Sequence, residues 1–150
     1  MTVKSNKSAL VKAVDYLSVH DYSVKRLRDK LHRCGYEKAE IDAALGKLLQ
    51  KGYLNDAALC KSMSRVYIVA GRYSVLEIKY KLRSKGFSSD VIADCLDGDL
   101  AEYEKKAACR ALKIHFTKKQ DTGKYMQYLY RKGFCSASIA YATENFTAST

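Results

Sequence analysis

Apolar side chains recur along the chain with the period of a helix, not of a strand. Ile41, Ala44, Leu45, Leu48 and Leu49 fall at i, i+3, i+4, i+7 and i+8, a spacing that gathers side chains on one helix face. Leu10, Ala13, Val14 and Leu17 form a second stripe, and Leu59, Met63, Val66, Tyr67 and Ala70 a third. Glycines punctuate these stripes. Leu31-x-x-x-Gly35-Tyr36 followed by Ile41 returns as Leu82-x-x-x-Gly86-Phe87 followed by Ile92. It returns again as Leu129-x-x-x-Gly133-Phe134 followed by Ile139. With the glycine at C′, the leucine falls at C3 and the aromatic residue at C″, the pair that touches in a Schellman ending. That ending needs a left-handed backbone, which glycine adopts without a Cβ penalty, so Gly86 is expected at positive φ. Leu48, Gly52 and Tyr53 give the signal a fourth time, without the downstream isoleucine.

Helix starts are equally marked. Ser74 and Glu77 have capping-box spacing, and Asn55 is placed to cap the helix that follows Tyr53 and Leu54. The pattern predicts an all-α chain of nine helices, over 7–19, 23–34, 37–51, 55–70, 74–85, 89–97, 100–117, 121–132 and 136–146. The glycines of the repeat lie 51 and 47 residues apart. Three tandem three-helix repeats are therefore expected, over 7–51, 55–98 and 100–146. Short links between them predict an elongated, curved array.

Composition supports this reading. The 150 residues are 47% hydrophobic, enough for a real core, and contain neither proline nor tryptophan. No apolar run approaches a membrane span, and the polar start Met1–Asn6 leads into no signal-peptide core. A cytoplasmic protein without a membrane partner is expected. Five cysteines, at 34, 60, 95, 109 and 135, share no short spacing. They are expected to be reduced thiols that pack as small hydrophobes, binding no metal.

Nothing in the sequence assembles a catalytic constellation. His20, His32 and His115 stand apart, and neither H-E-x-x-H nor C-x-x-C occurs. Gly86 and Gly98 fit no phosphate-binding loop. Glu37, Glu40 and Asp42 open a helix, where carboxylates suit the macrodipole. The expectation is a protein that is not an enzyme, with no cofactor.

Charge changes the picture more. The formal net charge is +11, which favours a polyanionic partner. The basic residues concentrate on the second helix of each repeat. The first carries Lys25, Arg26, Arg28, Lys30 and Arg33, the next Lys79, Lys81, Arg83 and Lys85, and the last Lys124, Arg131 and Lys132. Arg26, Lys30 and Arg33 are spaced i, i+4, i+7, off the stripe of Leu27 and Leu31. The expected binding set is Arg26, Lys30, Arg33, Lys81, Lys85, Arg131 and Lys132, exposed and of little weight in folding. Tyr125, Tyr128, Tyr130 and Tyr141 cluster near the end of the chain. They are read as core-edge residues before base-stacking platforms.

Order and spacing together resemble one family. Ser23-Val-Lys-Arg-Leu27-Arg-Asp-Lys30-Leu31, the junction Gly52-Tyr53-Leu54-Asn55-Asp56, Ile78-Lys-Tyr-Lys-Leu82-Arg-Ser-Lys85-Gly86 and Tyr128-Leu129-Tyr130-Arg131-Lys132-Gly133-Phe134 are similar to the successive repeats of RecX regulatory proteins. The likeness spans about residues 9 to 146. The chain departs from the family pattern at Leu59-Cys60, where Phe-Ala is usual, and at Ser74-Val75. The resemblance implies a monomeric negative modulator of RecA that lies in the groove of the RecA–single-stranded DNA filament. It implies limits on filament growth, ATP hydrolysis, strand exchange and co-protease activity, and so a place in recombination, repair and the SOS response. Two other readings stay open: a stand-alone helical nucleic-acid-binding protein, and a small scaffold without a nucleic-acid role.

Overall fold

A computed structural model describes residues 6–148. Among them are nine helices: α1 Ala9–Val19, α2 Val24–Arg33, α3 Lys38–Gln50, α4 Asp56–Ala70, α5 Val75–Ser84, α6 Ser89–Cys95, α7 Ala101–His115, α8 Thr122–Arg131 and α9 Ser136–Ala148. Every boundary lies within two residues of the sequence expectation. Side chains of Ser8, Ser23, Asn55, Ser74 and Ser88 each accept the N–H three residues on, which sets five of the helix starts. Ser74 and Glu77 complete a reciprocal capping box.

The expected Schellman endings are present. Gly35, Gly52, Gly86 and Gly133 all have positive φ. In each case the residue after the glycine donates back to the C3 leucine: Tyr36 to Leu31, Tyr53 to Leu48, Phe87 to Leu82 and Phe134 to Leu129. The fourth ending differs in its packing. Tyr53 is 68% exposed and Leu54 takes the buried place, its N–H also donating to Leu48 O. A buried residue two positions past the glycine therefore replaces the expected Leu48–Tyr53 contact.

The core forms three clusters. One unites α1–α3, with Leu27, Leu31, Tyr36, Ile41, Leu45, Leu48 and Leu54 buried. The second unites α4–α6 around Cys60, Ile78, Leu82, Phe87 and Ile92. The third unites α7–α9 around Leu112, Tyr125, Leu129, Phe134 and Ile139. The close helix–helix pairings all lie within these triplets. The α3 stripe keeps Ile41, Ala44, Leu45 and Leu48 buried and exposes only Leu49, whereas the stripes of α1 and α4 are rotated in the fold. Val14, Leu49 and Val66 point to solvent, whereas Ala9, Ala13, Cys60 and Ser64 are buried. The first helix of each triplet thus packs through small side chains, which let backbones approach closely. In α7 the same part is played by Ala107, Ala108 and Ala111.

Consecutive triplets meet end to end at their second helices. Ser23 Oγ, which caps α2, also donates to Lys85 O at the end of α5 (2.7 Å). Ser74 Oγ, which caps α5, likewise donates to Lys132 O at the end of α8 (2.6 Å). Helices α8, α5 and α2 are therefore stacked head to tail, each negative C-terminal end facing a positive N-terminal one. Close approach at these points needs glycine a second time. A Cβ on Gly86 would lie 2.7 Å from Ser23 Oγ, and one on Gly133 would lie 3.1 Å from Leu76 Cδ2.

A carboxylate from the following triplet completes each junction. Asp56 Oδ1 accepts the N–H of Val24 (3.0 Å), and Glu104 Oε1 that of Val75 (3.1 Å). Glu104 is buried and its other oxygen accepts Cys135 N–H (3.3 Å) and Ser138 Oγ–H (2.8 Å). Burial pushes the Glu104 carboxyl up. The side chains of Cys135 and Ser138 and the N–H groups of Val75 and Cys135 together outweigh it and hold the acid below its ordinary value.

Two outcomes are expected. Gly52→Ala meets open space and should lose about 1 kcal/mol to left-handed strain alone. Gly86→Ala should lose roughly 1–3 kcal/mol more, because its Cβ collides with Ser23. Equal urea-unfolding losses for the two would refute a packing role for Gly86. Because the folded Glu104 carboxyl titrates low, its stabilisation is complete above the ordinary carboxylate range and disappears as pH falls through its folded pKa. Glu104→Gln should therefore cost about 2 kcal/mol at neutral pH and progressively less on acidification. A gap between the two proteins that ignores pH would contradict this.

Candidate functional site

The candidate surface begins on α2. Leu27 and Leu31 are buried, which turns the intervening charged residues outward. Arg26 Nη2 donates to Ser84 O (3.2 Å), supplementing the C-terminal end of α5. Arg28 pairs with Asp42 at 3.6 Å. Lys30 is held differently. Its Nζ donates to Tyr22 OH (2.8 Å) and lies 4.6 Å and 4.9 Å from the ring centres of Tyr16 and Tyr22. The two rings meet edge to face. The Tyr16 hydroxyl shares a hydrogen bond with the Cys34 thiol (3.0 Å), which with burial pushes its pKa up to about 12. Tyr16 thus stays a neutral ring face for the ammonium.

The arrangement is repeated. Tyr67, Tyr73 and Lys81 each follow their counterparts by 51 residues. Lys81 Nζ lies 5.0 Å from the Tyr73 ring centre and 5.9 Å from that of Tyr67, and these rings are again edge to face. In the third triplet the lysine position is taken by Tyr128, which stacks on His115 with centroids 4.0 Å apart. Tyr125 belongs to the core there, Tyr128 is half-buried, and Tyr130 and Tyr141 are exposed.

Two niches form where the triplets meet. One, of about 400 Å³, is lined by Tyr22, Arg26, Lys30, Met63 and Lys85. Its counterpart, of about 330 Å³, is lined by Tyr73, Glu77, Lys81, Ile114, Tyr128 and Lys132. Beside the first, a recess of about 520 Å³ gathers Lys25, Arg26, Lys30, Arg33 and Arg83, with Asp29 the only acid. The structure therefore brings Lys30 to Lys85, Lys81 to Lys132, and Arg26 to Arg33. Arg131 is exposed in the last turn of α8.

Two expectations need correction. Lys30, Lys81 and Lys85 are half-buried, not exposed, because tyrosines from the preceding helix and loop enclose the first two and the junction encloses the third. Arg83, outside the expected set, joins Arg33 because the end of α5 abuts the start of α2, a contact that spacing along one helix does not reveal. The five cysteines are free, with Cys60 buried and Cys135 exposed. Among the described residues no cluster of three metal-binding side chains occurs, and no helix is long and apolar enough to cross a membrane.

The enclosure of Lys30 has a measurable consequence. Lys30→Met keeps the stem and removes the charge, and should cost about 0.5–1 kcal/mol through the lost cation–π contacts. Arg131→Met should stay within about 0.5 kcal/mol. Indistinguishable urea midpoints would show that the tyrosine cage contributes nothing to folding.

Comparison with known proteins agrees with this architecture. Residues 9–48 match the family model described as RecX, first three-helix domain. The regulatory protein RecX of Vibrio parahaemolyticus is 30% identical over 134 residues, which cover 87% of this chain and 86% of that protein. The regulatory protein RecX of Herbaspirillum seropedicae is 32% identical over 139 residues, covering 90% and 88%. The crystal structure of RecX from Lactobacillus salivarius superposes with a TM-score of 0.76 at 21% identity, over 93% of this chain and 95% of that one. A second crystal structure of a regulatory protein RecX gives 0.74 at 24% identity, over 91% and 71%. At these identities the two structures speak for the shared fold, while the near full-length sequence matches carry the relationship. This chain belongs to the RecX family of regulatory proteins.

Proposed function

We propose that this protein is a negative modulator of RecA. It binds the RecA–single-stranded DNA filament as a monomer in the cytoplasm and limits filament growth, and with it ATP hydrolysis, strand exchange and co-protease activity. It acts by binding and not as an enzyme. The observation that carries this reading is the head-to-tail stack of α8, α5 and α2, which sets cationic niches at both triplet junctions. Residues 7–51, 55–98 and 100–146 act as three successive repeats, each offering one second helix to the partner. Cations repeated along one body suit a partner whose negative groups are themselves repeated, since each contact raises the effective concentration for the next. Arg26, Lys30, Arg33, Lys81, Lys85, Arg131 and Lys132, joined by Arg83, form the contact set.

The test uses arginines that the cages do not involve. Arg33→Glu, Arg83→Glu and Arg131→Glu together should raise the dose that half-suppresses RecA's DNA-dependent ATPase by roughly tenfold or more. The triple change should also flatten the salt dependence if phosphates are the partner. A variant that stays folded by circular dichroism and inhibits like the wild type would refute the contact surface. A wild-type protein that leaves the ATPase untouched, yet binds naked DNA tightly by fluorescence anisotropy, would refute the RecA reading in favour of a stand-alone nucleic-acid binder.

A further inference from the structure

A further concavity lies away from the second helices. A groove of about 760 Å³ runs between the end of α4, the outer face of α7 and Tyr141 of α9. No residue of α2, α5 or α8 lines it. Its rim is cationic. Lys106, Arg110 and Lys113 fall at i, i+4 and i+7 along α7, about 10 Å from first to last. All three are exposed, and no Asp or Glu lines the groove. None of them makes an ion pair among the described residues. Its floor is apolar, with Ile68, Ala107, Cys109 and Ile114. Ile114 is 53% exposed although it ends a helix whose other face is core. Gly71 ends α4 at φ +70, and Arg110 Cδ would lie 3.8 Å from a Cβ placed there, so the arginine stem rests against the helix end.

We propose that this groove docks an acidic, amphipathic helical segment of a partner protein. Three unpaired cations on two turns of helix match carboxylates at the same i, i+4, i+7 spacing on a second helix. Aliphatic side chains beside those carboxylates would cover Ile68 and Ile114, as in helix-in-groove recognition. The ring faces argue for protein over single-stranded nucleic acid, which gains affinity by stacking bases on open aromatic rings. Tyr103 is half-buried with its hydroxyl donating to Tyr73 O (2.8 Å), and Lys105 Nζ lies 5.7 Å from the ring centre of Tyr141. Burial pushes the Cys109 thiol up, which keeps it a neutral part of the floor. Of the residues lining this groove only Ile114 also lines a junction niche, and Lys106, Arg110 and Lys113 line neither niche, so the cationic rim can be lost independently of them.

The experiment measures fluorescence anisotropy of three labelled probes on the full-length protein. The first is a helical peptide with glutamates at i, i+4 and i+7 beside a leucine face. The second has the same glutamates with glutamine for every leucine, and the third is oligo(dT). The first peptide should bind at least about tenfold more tightly than the second, because only it covers the apolar floor. Arg110→Glu with Lys113→Glu should weaken it at least about tenfold, and Arg33→Glu should leave it unchanged. Ile114→Ser, which changes no charge, should also weaken it, and reads the same site if the charge reversal lowers the melting temperature. Equal affinity for both peptides, or binding indifferent to the α7 reversal and to Ile114→Ser, overturns the proposal. Displacement of the peptide by oligo(dT), with loss of both ligands on the same reversal, overturns it in favour of a nucleic-acid seat.

Discussion

The ends of a helix carry backbone donors and acceptors that find no partner within the helix, and the nine short helices among the described residues have many such ends. Here the ends of α2, α5 and α8 satisfy one another. Ser23 and Ser74 each accept a hydrogen bond from their own helix and give one to the last carbonyl of the next second helix. Asp56 and Glu104 supply the acceptor for the first N–H of α2 and of α5. This mutual capping explains why Gly86 and Gly133 stand where they do. It also explains why Glu104, a charged residue, is buried. The same contacts bring the lysines of one triplet to those of the next and create the junction niches.

Much of the fold was legible in the sequence because helix ends are written in local chemistry. Asn55 and Ser74 mark two helix starts and Gly35, Gly52, Gly86 and Gly133 mark four helix ends, and the apolar period locates the segments between. The sense of the faces was less legible. Val14, Leu49 and Val66 belong to hydrophobic stripes yet lie in solvent, while Ala9, Cys60 and Ser64, which no stripe includes, are covered. Periodicity weights large apolar side chains, whereas close helix approach selects small ones. Tyr53 departs from the motif for a related reason: its neighbour Leu54 competes for the same buried place and fills it.

The site was legible in part. That the second helices carry the basic residues follows from the sequence, and the structure keeps Arg26 and Arg33 together. That Lys30 and Lys81 are clasped by tyrosines was also present in the sequence, since Tyr16, Tyr22 and Lys30 recur together at Tyr67, Tyr73 and Lys81. They lie outside the Leu-x-x-x-Gly-aromatic motif that marks the repeat. Arg83 beside Arg33, and the groove along α7, arise between triplets. Only the three-dimensional arrangement of separate segments produces them.

The two junctions are built to different standards. Tyr103 packs against both the central and the third cluster, and Leu76 occupies the space that a Cβ on Gly133 would need. The first and central clusters share no side chain, and their junction is held by Ser23, Asp56 and Arg26. A tension applied along the stack passes through both joints in series, so the joint without a shared apolar seal yields first. The α1–α3 triplet is therefore the end of the stack at which such a tension would first be relieved.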